Sequence, residues 1–568
     1  MPGVLASPGA DPAPVPSLFL PGDTASRRPG GAPARGLYLS GGIDSPLSRS
    51  GRDESAHAAG RFRTRTLPQL FARHRLPAPC HQGGVRGTPV TADRSAPGHW
   101  LLDAAAASPR ATALVLPEGR FDFAALASLV GQLCHLLESR GLGAGAVLAV
   151  ESRSPTLLTL LLHTALLADL VLLPLDPRLP DSHRRALLRQ ARPDLLVLED
   201  DTVRPEMCRA HTSAAQLLTE AAQVKPLFAV RPPPSAERRR LLMASSGSHG
   251  APHLVALSDA NLAASVAAVN TRFELGRNSC WLACLPLTHI GGLAIPLRCA
   301  AAGAAVVLHQ GFDVAAVLAD LHRLPVTHLS LVPAMLAQLL QHAGTVPPAV
   351  RVVLVGGAPL EPSLAQSAIA AGWPLWVSYG MTETASTLCA RRLSRDDPDP
   401  QCVGRPLEGF GLRIVDQAGR TTSEEGVIEV RGAAVHGSRH GVEGRWYATG
   451  DRGCMDARGR LHVLGRDDLV LLSGGEKVHP EAVERLLCNC PGVDEVAVTG
   501  QPDPHWGQRV VAVYRGDIDE LRFEQLCRRS LDGAMRPRRF IRVAALPRTA
   551  SGKLDRAALR ELVRGAAG

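Results

Sequence analysis

Val350-Arg351-Val352-Val353-Leu354-Val355-Gly356-Gly357 is the stretch that decides the fold. Its β-branched residues favour a pleated backbone, and its nearly unbroken apolar character fits a strand covered on both faces. The two glycines end the run in a turn. Similar runs recur on the N-terminal side: Thr327–Val332 (THLSLV), Ala305–Gln310 (AVVLHQ), Val147–Val150 (VLAV) and Ala113–Leu116 (ALVL). Between them lie Ala/Leu-rich segments with helical texture, such as Phe123–Ser139. Buried strands alternating with helices predict an α/β architecture with mainly parallel sheets. No repeat of the length expected for a solenoid is present.

The chain has 568 residues and a formal charge of +9, from 62 Lys and Arg against 53 Asp and Glu. The charge is placed unevenly: residues 1–95 hold 12 arginines and 6 acids, so two-thirds of the excess lies there. The basic balance therefore says little about the ligand of the main body. With aromatics at 4%, a surface built to stack single-stranded bases is not expected. The first 95 residues also hold 13 Gly and 13 Pro, a composition that gives no packed core, and they read as a disordered arm. Inside it, Gly36–Ser45 (GLYLSGGIDS) resembles the phosphate loop of ATP pyrophosphatases such as asparagine synthetases but lacks the flanking strand and helix. Leu67–Leu76 could form a transient helix. The 12 cysteines form no C-x-x-C pair and read as reduced, mostly buried thiols. Met1–Pro16 lacks the pattern of a secretory leader. Leu157–Leu173 (LLTLLLHTALLADLVLL) is interrupted by His163 and Asp169 and reads as a buried helix and strand rather than a membrane span. A cytoplasmic protein is expected.

Four segments carry chemistry. Ser245-Ser246-Gly247-Ser248-His249-Gly250 follows an apolar run, and small hydroxyl residues with glycines let backbone N–H groups close around phosphate oxygens. Ser378-Tyr379-Gly380-Met381-Thr382-Glu383-Thr384 offers an aromatic face, a hydroxyl and a hard-oxygen ligand for Mg²⁺. Tyr447-Ala448-Thr449-Gly450-Asp451, with Gly465-Arg466 beyond it, offers a carboxylate able to accept from both ribose hydroxyls and a planar guanidinium fork. The last is Pro547–Lys553 (PRTASGK). The chain has three lysines against 59 arginines, so a lysine here points to a need for a compact, rotatable ammonium. Taken singly, each segment is also an ordinary capped turn or loop.

In this order the four resemble the adenylate-forming superfamily of acyl-CoA synthetases, peptide-synthetase adenylation domains and luciferases. Val355–Pro359, Gly404-Arg405-Pro406 and Gly465–Leu469 leading into Ser473–Glu476 extend the likeness over about residues 96–560. The resemblance implies an adenylation domain over 96–466 and a small mobile α+β domain over 467–568 that carries the catalytic lysine. It implies ATP, Mg²⁺ and CoA as co-substrates and a carboxylic acid that becomes acyl-AMP and then a thioester. Lys553 would bridge carboxylate and α-phosphate, Thr382 would contact phosphate and Glu383 would hold Mg²⁺. Asp451 would grip the ribose, with Arg466 beside the nucleotide, Tyr379 and Gly380 against adenine, and Gly356, Gly357, Ala358 and Pro359 along its edge. Ser245, Ser246, Gly247, Ser248 and Gly250 would cradle the outer phosphates, and Asp468 would be the hinge.

Two positions depart from the pattern. The phosphate loop of the superfamily usually ends Pro-Lys, and here it ends Pro252-His253; His249 replaces a hydroxyl residue. An imidazole is mostly neutral at pH 7, so a weaker hold on ATP is expected. Leu285-Pro286-Leu287-Thr288-His289-Ile290-Gly291-Gly292 is similar to a segment of o-succinylbenzoate–CoA ligases of menaquinone biosynthesis, which makes His289 a candidate donor to an acid. Other aryl or fatty acids, a stand-alone carrier-loading enzyme and a degenerate ATP-binding relative are the alternatives. No nucleic-acid partner is expected, and no residue for a second substrate carboxylate can be picked out from the sequence.

Overall fold

The computed structural model describes residues 100–199, 208–227, 238–246, 252–343, 345–437, 445–531, 533–548 and 554–566. The Gly/Pro-rich arm, with Gly36–Ser45 and Leu67–Leu76, lies outside them. Val352–Val355 sits in the interior of an eight-stranded sheet. Its neighbours are His328–Leu331 on one side and Leu375–Met381 on the other, both parallel. Beyond His328–Leu331 follow Cys280–Ala283, Ala305–Leu308 and Thr112–Leu116, all parallel. Ser386–Arg392 and Gly119–Asp122 close the edges antiparallel. The expected strands are all present: the three around Val352–Val355, His328–Leu331 and Ala305–Leu308 lose one or two residues at an end, whereas Thr112–Leu116 and Val147–Glu151 each run one residue longer.

A six-stranded second sheet is built around Val147–Glu151, Val171–Leu175 and Leu195–Leu198, parallel to one another. The stretch Leu157–Leu173 resolves as the helix Pro155–Leu167 and the strand Val171–Leu175. Ser154 caps the helix by accepting from the Leu157 N–H at 3.2 Å, worth ~1 kcal/mol for a side-chain cap. Twelve of the helix's thirteen residues are buried, and burial pulls the His163 imidazole down to about 4, so it stays neutral in the core. No helix among the described residues is long and apolar enough to cross a membrane. The sheet ends in the antiparallel hairpin Arg239–Ser246 and Pro252–Ser258. Arg240, 2% exposed, anchors its root by bridging Asp169 and Asp259.

A third sheet was not signalled by the alternation: Cys402–Gly404, Leu461–Arg466, Tyr447–Met455, Gly426–Gly432, Phe410–Val415 and Thr421–Thr422 pair antiparallel throughout. The C-terminal part has its own sheet, in which Val493–Asp503 and Gly507–Gly516 form a long hairpin and Arg539–Arg542 adds in parallel. Helices Pro480–Cys488, Glu520–Ser530 and Arg556–Gly565 cover it. Val483, Val510, Tyr514 and Phe523 belong to a core separate from that of the rest of the chain. The molecule is thus α/β, with a large N-terminal body and a small α+β C-terminal part.

Candidate active site

The C-terminal ends of the central parallel strands open onto one cavity of about 1130 Å³. Ligands of open α/β sheets bind at this edge because the chain turns away there and leaves a crevice. Gly356, Gly357, Gly380, Thr382 and His289 line it. Ala358 and Pro359 are exposed just past the strand. His289 is the N-cap residue of helix Ile290–Ala302, exposed at the cavity mouth, and its charge is felt by Asp176. Asp176 is desolvated by burial, but two-oxygen pairing with Arg178 outweighs that and holds its carboxyl below the usual range.

The segment after Leu375–Met381 is strained. Thr382–Thr384 forms one 3₁₀ turn, and Ala385 and Ser386 follow at φ 51° and 99°, conformations unfavourable for side chains with a Cβ. Thr384 Oγ1 braces the turn, donating to the carbonyls of Met381 and Ser386, while Ser265 Oγ donates to the Ala385 carbonyl. Gly380 is dictated by space: a Cβ there would stand 2.0 Å from the Ser386 carbonyl oxygen. The result is a buried Glu383 whose Oε1 lies 3.7 Å from His253 Nε2 and whose carbonyl accepts from the His436 N–H.

Asp451 stands on a bulged strand rather than in a simple turn: Thr449, Gly450 and Asp451 intervene where the partner strand offers Ile428 alone. Tyr379 donates its hydroxyl to Asp451 Oδ2 at 2.6 Å, and Arg466 Nη1 lies 3.4 Å from Oδ1. Burial raises the Asp451 carboxyl, opposed by those two donors, and burial with the Asp451 charge pushes the Tyr379 phenol well up. Tyr379, Asp451 and Arg466, distant in sequence, therefore form one hydrogen-bonded set. Burial also raises the Tyr447 phenol, with the Glu383 and Asp451 charges adding to the shift and Arg466 opposing it.

Ser245 and Ser246 end one strand of the hairpin Arg239–Ser246 and Pro252–Ser258, in register with His253 and Pro252. Gly247, Ser248, Gly250 and Lys553 lie outside the described residues. The flanks of the lysine segment, Arg548 and Leu554, pair with each other. Arg556 binds Glu484 and lies 3.8 Å from Glu481, and Glu481 Oε2 in turn accepts the Arg466 N–H at 3.0 Å. Gly465 permits this approach, since a Cβ there would meet the Glu481 carboxylate at 1.7 Å. The C-terminal part thus touches the Tyr379–Asp451–Arg466 set through Glu481, near the start of its helix, with Arg556 behind it. His479 makes a second tie, to Glu425 at 3.1 Å.

One cavity residue had no sequence signal. Arg298 is 1% exposed and lines the cavity from within helix Ile290–Ala302. Its guanidinium lies over the Trp281 ring at 5.5 Å, and its Nε and Nη2 have no hydrogen-bond partner. Burial lowers it to about 10, which leaves it charged at neutral pH. A desolvated cation with two unused donors is costly unless an anion meets it.

A family described as AMP-binding enzyme matches residues 101–437, and the AMP-binding enzyme C-terminal domain matches 482–553. The chain belongs to this family of AMP-binding enzymes. Its curated relatives include the 2-succinylbenzoate–CoA ligase of Bacillus cereus (strain ATCC 10987), 30% identical over 481 residues, 82% of this chain and 98% of that enzyme. The same figures hold for the ligase of Bacillus anthracis. Among solved structures, o-succinylbenzoate CoA synthetase from Bacillus subtilis in complex with its acyl-adenylate superposes at a TM-score of 0.75, with 27% identity over 81% of this chain and 98% of that one. ATP-bound MatB from Rhodopseudomonas palustris gives 0.77 at 25% identity, over 84% and 100%. The AMP-binding enzyme described here is accordingly an AMP-forming acid–CoA ligase of the adenylate-forming superfamily.

Proposed function

We propose that this ligase activates a carboxylic acid bearing a second anionic group, with o-succinylbenzoate of menaquinone biosynthesis as the acid. ATP and CoA are its co-substrates. The observation that carries the choice of acid is Arg298: the cavity that would receive the acyl group holds one buried, unpartnered cation in largely apolar surroundings. The names of the curated relatives support the same reading. The free thiols of all eleven described cysteines suit a reducing, cytoplasmic setting.

The first step brings a carboxylate against the α-phosphate of ATP, two anions, so the residues around it act chiefly by charge and placement. Thr382, at the cavity wall, would donate to phosphate. Asp451 would accept from the ribose hydroxyls while Tyr379 and Arg466 hold its carboxylate in place. Tyr379 with Gly380, and Gly356–Pro359, would flank the base. Ser245–Gly250 would close on the outer phosphates. Glu383 fits Mg²⁺, being a buried hard-oxygen donor beside the loop hairpin, and the ion would supply charge neutralisation at the phosphates. Lys553 would bring the ammonium that joins the two reacting anions, and His289 would orient the acid from the mouth. Residues 96–466 would form the adenylation domain. Residues 467–568, hinged at Asp468, would turn between the two half-reactions, so that Ser473–Glu476 faces the incoming thiol in the second.

ATP–pyrophosphate exchange with a panel of acids, with and without CoA, tests this reading. Exchange with o-succinylbenzoate and thioester formation with CoA are expected. Exchange confined to monocarboxylates overturns the choice of acid. Exchange without CoA consumption would make the protein a carrier loader, and no exchange with any acid a binding-only relative.

A further inference from the structure

Away from the cavity, the third sheet brings together three side chains of metal-ligating type. Cys402 and His462 face each other across adjacent strands, and Asp456 opens the turn that leads into the second of them. One ligand atom from each lies within 4.8 Å of the other two. His462 Nε2 is 3.6 Å from Asp456 Oδ2, buried and without a hydrogen bond, and Cys402 is 1% exposed. We propose that Cys402, His462 and Asp456 form a binding site for a zinc-like transition-metal ion.

The histidine is set up for this. Its Nδ1 lies 3.5 Å from the Asp399 carboxylate, so that with metal on Nε2 the Nδ1 proton would have an acceptor on the far side of the ring. Carboxylate–histidine–metal arrangements use the same polarity. A spacing of 3.6 Å between nitrogen and oxygen suits two ligands at ~2.0–2.2 Å from one tetrahedral ion.

A structural reading of Asp456 alone does not account for the cluster. Asp456 accepts the N–H groups of Arg458 and Arg460 at 2.9 and 2.8 Å and the Arg460 guanidinium at 2.6 Å. Asp416 makes the same three bonds in another Asp-x-x-Gly-Arg turn, with Ala418 and Arg420, and has no cysteine or histidine in a comparable cluster among the described residues. The turn explains how the carboxylate is held; it does not require Cys402 and His462 beside it. Arg460 leaves Asp456 Oδ2 one further lone pair.

Charge agrees. Asp397, Asp399 and Asp456 face Arg391 and Arg460, leaving one negative charge. A divalent ion on the Cys402 thiolate, with the thiol proton released to solvent, brings the group to neutrality. Thiolate and imidazole select zinc or cobalt over magnesium, so this site is chemically distinct from the carboxylate of Glu383. Its ion would pin the strand that ends in Arg466.

Cobalt titration of the full-length, metal-stripped protein tests the site. The expected result is one equivalent of tetrahedral Co²⁺ with a thiolate-to-cobalt charge-transfer band. Cys402→Ser removes the band, Cys454→Ser leaves it, and Asp399→Asn weakens binding by ~10-fold or more while keeping the band. A wild-type protein that shows no such band overturns the proposal, whatever the variants do. So does a band that survives Cys402→Ser, or an affinity for Co²⁺ that His462→Gln leaves unchanged.

Discussion

The side proposed for the nucleotide and the cavity proposed for the acyl group meet at Gly380 and Thr382, yet they are built in opposite ways. On the nucleotide side the polar groups satisfy one another: Tyr379 and Arg466 both hold Asp451, and Thr384 braces the turn that carries Glu383. In the cavity, the Arg298 guanidinium keeps two donors unused. A self-satisfied constellation is preorganised to receive a ligand common to a whole family. An unsatisfied group is completed only by the particular ligand that fits it, and on the proposed function this is where selectivity would reside.

The largest expected effect tests whether the nucleotide side is complete without its ammonium. Lys553→Ala should lower acyl-AMP formation by ~10²-fold or more, as for loss of a preorganised charge. Thioester formation from supplied acyl-AMP should survive. Measured separately, equal loss of both half-reactions would refute a lysine that serves adenylation alone.

Arg298→Met probes the other region. The preference for o-succinylbenzoate over the same acid without its ring carboxylate should fall by ~10²-fold in kcat/KM, the scale of a lost hydrogen-bonded charge pair. The substrate-free variant should melt no lower than the wild type, because an unpaired buried cation is replaced by an apolar chain of similar length. A variant that loses both acids equally would make Arg298 a packing residue.

His253→Lys sharpens the comparison at the phosphate loop. Restoring a fixed charge should lower the KM for ATP about 3- to 10-fold, since one charge-assisted hydrogen bond contributes roughly 0.7–1.4 kcal/mol at a partly exposed site. The KM for the acid should not change. An unchanged KM for ATP would mean that backbone donors dominate this loop.

Much of the nucleotide side was legible because its chemistry is written in short local segments: Thr382-Glu383, Thr449–Asp451 and Gly465-Arg466 can be read without knowing what faces them. The buried runs around Val352–Val355 were legible for a similar reason, since one strand declares its own burial. Arg298 was not legible. It is one of 59 arginines, and its isolation depends on Trp281 and the cavity wall, drawn from other elements of the chain. The antiparallel sheet from Cys402 to Arg466 escaped because its strands are half-buried and lack long apolar runs. Backbone strain at Ala385 and Ser386 also has no marker, as neither residue type favours positive φ.

The smallest effect concerns where the two parts touch. Burial pushes the Glu361 carboxyl up to about 7 from 4.5, with Glu484 adding to the shift and Arg485 opposing it, and its Oε2 has no hydrogen-bond partner. Glu361 lies on the N-terminal body, whereas Glu484 and Arg485 are on helix Pro480–Cys488 of the C-terminal part. The folded protein therefore holds this proton more tightly than the unfolded chain does. By linkage, stability is highest on this account below pH 4.5 and falls as pH rises from 4.5 to about 7, after which no more is lost. Glu361→Gln cannot shed a proton, so its melting temperature should fall less than that of the wild type across this window. The two profiles should then run parallel above it. Parallel profiles throughout would show that Glu361 is ionised at the contact at all these pH values, and that Arg485 rather than burial governs it.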